Sequence, residues 1–292
     1  MSRPPAFVPP PGVRSRRLTT ERGEFAVLEA DAMASQVKGT VLLLPGYTGS
    51  KEDFIVLQPL LAAAGYRTVA VDGRGQYESP GPRDDEAPYA QTELARDVLA
   101  QAHTVGAPVH LLGHSLGGQI ARAAVMLDAS PFVSLTLMAS GPAQISVPQQ
   151  QRVKLLRDAL AVMDMAEVWE AIQAMEPPED VDAGDIDEGL ADGEDLRRRW
   201  LRNSPAQLLA TGRQLCVEPD RVAELVAVGL PVHVLSGDRD DTWPVPLLDE
   251  MATRLGAERT VVAHAEHSPN TEQPGHTARA LTAFWDRFAQ PV

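Results

Sequence analysis

The chain has 292 residues, 44% hydrophobic and 23% charged, with a formal net charge of −14 and one cysteine. That length and balance suffice for a buried core without covalent staples, and Cys216 alone excludes an internal disulfide and a Cys-only zinc site. The acidic balance argues against non-specific nucleic-acid binding, and no apolar run approaches the ~18–20 residues of a membrane span.

Residues 1–17 are rich in proline and arginine and lack the apolar stretch of a secretory leader. They read as a lead-in that lies along the surface or is disordered, and the expected compartment is the cytoplasm. Residues 24–30 alternate, with Phe25, Val27 and Glu29 on one face, as in a half-buried strand near a sheet edge. Residues 40–44 are continuously β-branched or aliphatic, the pattern of a strand covered on both faces, and Pro45-Gly46 ends them. A helix is expected over 52–64, a strand over 67–71, a helix from a Thr92 cap to 105, and a strand over 109–112. A helix over 116–127 and a strand over 133–139 follow. This alternation predicts an α/β fold: a mostly parallel sheet with helices on both faces.

After Gly141-Pro142 the pattern changes. Residues 153–163, 165–175, 196–201, 205–213 and 219–228 read as helices, and no strand is legible until Val232. Alternation then resumes, with strands at 232–235 and 259–263 and helices at 245–255 and 275–289. The organisation expected is a lead-in (1–17), a core in two parts (18–141 and 229–292) and a helical cap inserted at 142–228. Residues 176–195 hold ten carboxylates and no basic residue. They read as a solvated loop that disfavours anionic substrates by repulsion.

The strongest chemical signal is Gly113-His114-Ser115-Leu116-Gly117, placed between a buried strand and a helix. A sharp turn there lifts a serine hydroxyl out of the sheet, and glycine removes the Cβ that would clash. The helix start offers the Leu116 N–H to a developing oxyanion. A serine at its free pKa is a weak nucleophile and needs a base oriented by a third group. The chain order Ser, acid, His finds candidates in Asp238, Asp240 and Asp241 after one strand, and in His264 and His267 after the next.

With these parts in order, the chain resembles an α/β-hydrolase-fold serine hydrolase with a helical cap, over almost its whole length. The resemblance rests on the elbow, on Gly237-x-x-Asp240-x-x-x-Pro244, and on His267-Ser268-Pro269 followed by Glu272-Gln273-Pro274. It implies Asp240 as the orienting carboxylate, His267 as the base and the Tyr47 backbone N–H as the second oxyanion donor. Two departures stand out: Pro45 where the family often has histidine, and Tyr77 where glycine is usual in the 72–79 turn. The turn reads as structural support, with Tyr77 a minor candidate for the pocket. Substrate selection is expected in the cap, from Leu155, Leu156, Leu160, Met163, Met165, Val168, Trp169, Ile172 and Met175, with Met138 as a further candidate. The function implied is hydrolysis of a carboxylic ester or thioester of a small to medium, apolar small molecule, with no cofactor and no metal. Carbon–carbon bond hydrolysis, lyase or perhydrolase chemistry and a non-catalytic ligand receptor are the alternatives on this scaffold.

Overall fold

A computed structural model of the chain describes residues 2–33, 37–175 and 186–289, with backbone alone for 186–192. Among the described residues eight strands form one sheet: β1 (Val13–Thr20), β2 (Gly23–Ala30), β3 (Gly39–Leu44), β4 (Tyr66–Val71), β5 (Val109–His114), β6 (Phe132–Met138), β7 (Val232–Gly237) and β8 (Glu258–Val262). Their order is β1-β2-β4-β3-β5-β6-β7-β8. The pairs β1–β2 and β2–β4 are antiparallel and the rest parallel. The helices are α1 (Leu57–Ala63), α2 (Gln91–Val105), α3 (Leu116–Leu127), α4 (Val147–Leu160), α5 (Met165–Met175), α6 (Ile186–Arg202), α7 (Pro205–Val217), α8 (Val222–Val228), α9 (Val245–Leu255), α10 (Pro269–Glu272) and α11 (Pro274–Trp285).

Strand side chains alternate between two faces, so each unbroken apolar run feeds two cores. Val41, Leu43 and Leu112 pack with Leu57, Leu61, Phe284 and Trp285 beneath α1 and α11. Leu42, Leu44 and Leu111 pack on the other face against α2, α3, α8 and α9. Four cap helices, α4 to α7, follow β6. Their centre is a separate cluster of Leu160, Met165, Val168, Trp169, Leu196, Trp200 and Leu208.

Several sequence expectations change in detail. Residues 13–17, read as part of the lead-in, form the start of β1, because this edge strand is held by backbone pairing and by charge. Glu29 of β2 is 2% exposed and is paired with Arg14 and Arg16 of β1 and with Arg67 of β4. The residues ahead of the strand are also docked, as described below. Residues 52–64 split into a 3-10 turn over Lys51–Phe54 and α1. Thr92 lies inside α2 and is not its cap, which is Ala90. In the acidic stretch, 186–195 are helical; the remainder of that reading, 176–185, lies outside the described residues.

The cap is clamped at its base to the helix that follows Ser115. Arg122 of α3 donates to the carbonyls of Gly141 and Pro142 at 3.2 and 2.8 Å, and to Glu218 at 2.7 Å. Both charged side chains are almost fully buried. Removing one member of such a pair strands the other in a low-dielectric site. Arg122→Leu is expected to cost about 3–5 kcal/mol in urea unfolding, and Arg122→Leu/Glu218→Leu to recover at least half of that loss.

Buried strand histidines are held neutral. Burial pushes His110 of β5 and His233 of β7 down to about 4. The unfolded chain takes up their protons near pH 6.5, whereas the fold refuses them until about pH 4. Their contribution is therefore complete above about pH 6.5 and falls toward pH 4 by about 1.4 kcal/mol per pH unit for each histidine. Urea melts at pH 7 and pH 5 are expected to show His233→Gln losing about 2 kcal/mol less than the parent over that interval.

Candidate active site

Ser115 follows the last residue of β5 with φ 54° and ψ −119°. An L residue rarely adopts a positive φ, and the surroundings hold this one in place. Its N–H donates to the Met138 carbonyl at 2.9 Å, and its own carbonyl accepts from Gly118 at 2.9 Å. A Cβ added at Gly113 would lie 2.3 Å from the Gly117 carbonyl oxygen. One added at Gly117 would lie 2.5 Å from the carbonyl oxygens of Leu44 and Pro45. The strand, the helix and the loop after β3 therefore meet backbone to backbone.

Asp240 follows β7 and His267 follows β8, so parallel strands deliver both to the edge that carries Ser115. His267 Nε2 lies 3.0 Å from Ser115 Oγ. His267 Nδ1 lies 3.1 Å from each oxygen of Asp240. Asp240 Oδ1 also accepts the N–H groups of Thr242 and Trp243 at 2.9 and 3.2 Å. Its side chain is wholly buried, whereas that of His267 is 28% exposed. The rival residues sit elsewhere. Asp238 accepts the His264 N–H at 2.9 Å, and His264 is an exposed turn residue with φ 60°. Asp241 points to the cap rim, where it accepts from Gln149 at 2.7 Å and faces Arg152 at 3.6 Å.

The loop after β3 runs beside the serine. A Cβ at Gly46 would lie 3.3 Å from Ser115 Cβ. Gln76 Nε2 donates to the Gly46 carbonyl at 2.8 Å, while Gln76 Oε1 accepts the Gly73 N–H at 3.0 Å. The N–H groups of Tyr47 and Leu116 meet no acceptor among the described residues. The Tyr47 hydroxyl donates to the Leu208 carbonyl of α7 at 2.7 Å, and Gly212 leaves room for it, since a Cβ there would lie 2.5 Å from that hydroxyl.

The 72–79 turn supports this loop from below. Asp72 is fully buried, and burial raises its pKa to about 7 against the opposing pull of Lys51. Lys51 Nζ lies 2.7 Å from Glu52, 3.0 Å from Asp72 and 2.8 Å from Glu78. Tyr77, with φ 38°, does not line the pocket over Ser115. Its N–H donates to Asn203 at 2.8 Å and its ring lies 4.6 Å from Lys51 Nζ, so it docks the cap.

The sequence alone assigned no role to His114, Gln76 or Asn270. His114 Nε2 lies 2.7 Å from the His267 carbonyl oxygen. Burial pushes its pKa to about 4, so the neutral ring donates this bond from Nε2 and orients the backbone of His267. Asn270, three residues beyond His267, donates to the Asp53 carbonyl at 2.7 Å. No local signal marks these partners, because their bonds to the Gly46, His267 and Asp53 carbonyls join segments distant in sequence.

A pocket of about 300 Å³ opens over Ser115. It shares Tyr47, Thr48, Gln149, Arg152 and Val153 with a cavity of about 620 Å³ under α4 and α5. Leu156, Val168, Ile172 and Trp200 make that cavity apolar, and Arg152 is the one charged side chain among its described lining residues. Leu155 and Met175 lie at its exposed edge. Leu160, Met165 and Trp169 belong to the cap's own core, with Met163 packed against it. Met138 is buried in the sheet core and lines neither space. Among the described residues no three His, Cys, Asp or Glu side chains are grouped as metal ligands, and no helix is long and apolar enough to cross a membrane.

A sequence profile described as "Alpha/beta hydrolase family" matches residues 41–280. The pimeloyl-(acyl-carrier protein) methyl ester esterase of Aeromonas hydrophila subsp. hydrophila is 30% identical over 257 residues, covering 84% of this chain and 94% of that one. The solved structure of a thermophilic esterase from Thermogutta terrifontis, with malate bound, aligns with a TM-score of 0.72 at 20% identity, covering 95% of this chain and 100% of that one. An esterase from Exiguobacterium antarcticum aligns with a TM-score of 0.72 at 19% identity, covering 93% and 99%. At these identities the two structures share a fold with this chain.

Proposed function

The chain belongs to the alpha/beta hydrolase family, and from that membership we propose that it is a serine hydrolase cleaving a carboxylic ester or thioester with a small to medium, apolar acyl group. The observation that carries this reading is the 3.0 Å approach of His267 Nε2 to Ser115 Oγ on a turn that opens a helix. Ser115 Oγ attacks the carbonyl carbon while His267 Nε2 takes the hydroxyl proton. Asp240, accepting the Nδ1–H, fixes the tautomer that leaves Nε2 free and steadies the imidazolium that forms. The N–H groups of Leu116 and Tyr47 receive the oxyanion. His267 returns the proton to the departing alcohol or thiol, and water then attacks the acyl-serine by the same route. The named activity of the Aeromonas relative supports an ester bond. The apolar cavity continuous with the pocket supports an apolar acyl group.

The test is hydrolysis of p-nitrophenyl esters from acetate to long acyl chains. Ser115→Ala is expected to lower kcat by about 10⁴–10⁶, and Asp240→Asn by about 10⁴ with the fold intact. A folded parent that hydrolyses no ester overturns the reading. A Ser115→Ala variant as fast as the parent removes Ser115 as nucleophile.

A further inference from the structure

Residues 2–8 are built into the junction of core and cap. Ser2 Oγ donates to the Asp53 carboxylate, 3.1 and 3.0 Å from its two oxygens. The Ser2 carbonyl accepts from Arg199 of α6. Arg199 also donates to Asp53 at 3.1 Å, and the two charged side chains are 0% and 1% exposed. Pro4 is buried. Ala6 packs on the core beneath α1 and α11. Phe7 packs in the cap cluster, with its ring 5.7 Å from the Arg199 guanidinium. Consecutive residues thus touch the core and the cap.

The same stretch reaches the catalytic pocket, whose wall includes Ser2 together with Gly49 and Ser268. Its anchor is shared with the site. Asp53 Oδ2 also accepts the Ser50 N–H at 3.3 Å, and a Cβ at Gly49 would lie 2.3 Å from that oxygen. The Asp53 carbonyl accepts from Asn270 in α10, the helix after His267. One buried residue therefore ties together the loop bearing Tyr47, the segment bearing His267, the cap and residues 2–8.

We infer that residues 2–8 form a strap, latched on Asp53 and Arg199, that closes one wall of the catalytic pocket and limits the bulk admitted at the acyl carbon. The inference rests on the ester-hydrolase reading. A rigid wall discriminates through sterics, and one added methylene against a filled pocket is worth about 10- to 200-fold in kcat/KM.

The full chain carrying Ser2→Gly/Phe7→Ala loses the hydroxyl latch and the aromatic anchor in the cap while keeping the Asp53–Arg199 pair. The readout is the ratio of kcat/KM for p-nitrophenyl pivalate, branched next to the acyl carbon, to that for p-nitrophenyl acetate. The ratio is expected to rise about tenfold. A chain lacking residues 2–8, with β1 whole, is expected to shift the ratio at least as far. Independently of turnover, hydrogen exchange at the Gly49 and Ser50 amides, which are bonded to the Gly46 carbonyl and to Asp53, is expected to quicken in both variants. An unchanged ratio with unchanged exchange overturns the strap. Loss of both esters in proportion also overturns it, since that result reports only a structural brace. A parent inactive on every ester defeats the proposed function instead, and the exchange measurement then decides the strap alone.

Discussion

The site depends on one steric constraint: backbones must meet at Ser115 with no side chains between them. The elbow can hold its positive φ only because Gly113 and Gly117 let β5 and α3 close on each other. Gly117 also sits against the carbonyls of Leu44 and Pro45. The loop that carries Tyr47 is therefore seated on the helix that carries Leu116, and neither moves without the other. Parallel pairing of β5, β6, β7 and β8 does the rest, bringing Asp240 and His267 to the same edge across more than a hundred residues of sequence.

What the sequence made legible follows from how local each determinant is. The central strands announce themselves because both their faces are covered, leaving runs such as Val41 to Leu44 with no polar break. The elbow is equally local, a five-residue pattern with its strand and helix attached. β1 was not legible because its contribution is ionic and edge-on: Arg14 and Arg16 answer a buried Glu29 and leave no apolar alternation. The start of α4 at Val147 was missed for a related reason, since Gln149 and Arg152 in its first turns face a rim and a pocket and so break the helical pattern. Asp240 stood out from Asp238 and Asp241 only through family resemblance. Physically the three differ in partners that lie far away: His267 for the first, the His264 amide for the second and Gln149 for the third. Gln76, His114 and Asn270 were invisible for the same reason.

The cap meets the core through polar contacts that end on residues of the loops around Ser115 or their supports. The Tyr47 hydroxyl reaches Leu208, Asp53 holds Arg199, and Arg122 holds Glu218. Buried ion pairs of this kind add little net stability, because desolvation offsets much of the attraction, but leaving one unpaired is costly. Apolar surfaces alone would tolerate sliding between cap and core. The two buried pairs penalise it, one at the base of the cap and the other beside the loop after β3. The α4 edge is held differently. Gln149 and Arg152 reach Asp241 through contacts open to solvent, with side chains 72% and 69% exposed in the ion pair, and such pairs contribute about 0–1 kcal/mol. The cap is thus pinned by buried pairs at its base and beside the loop after β3, while the Arg152–Asp241 contact at the mouth of the pocket adds little.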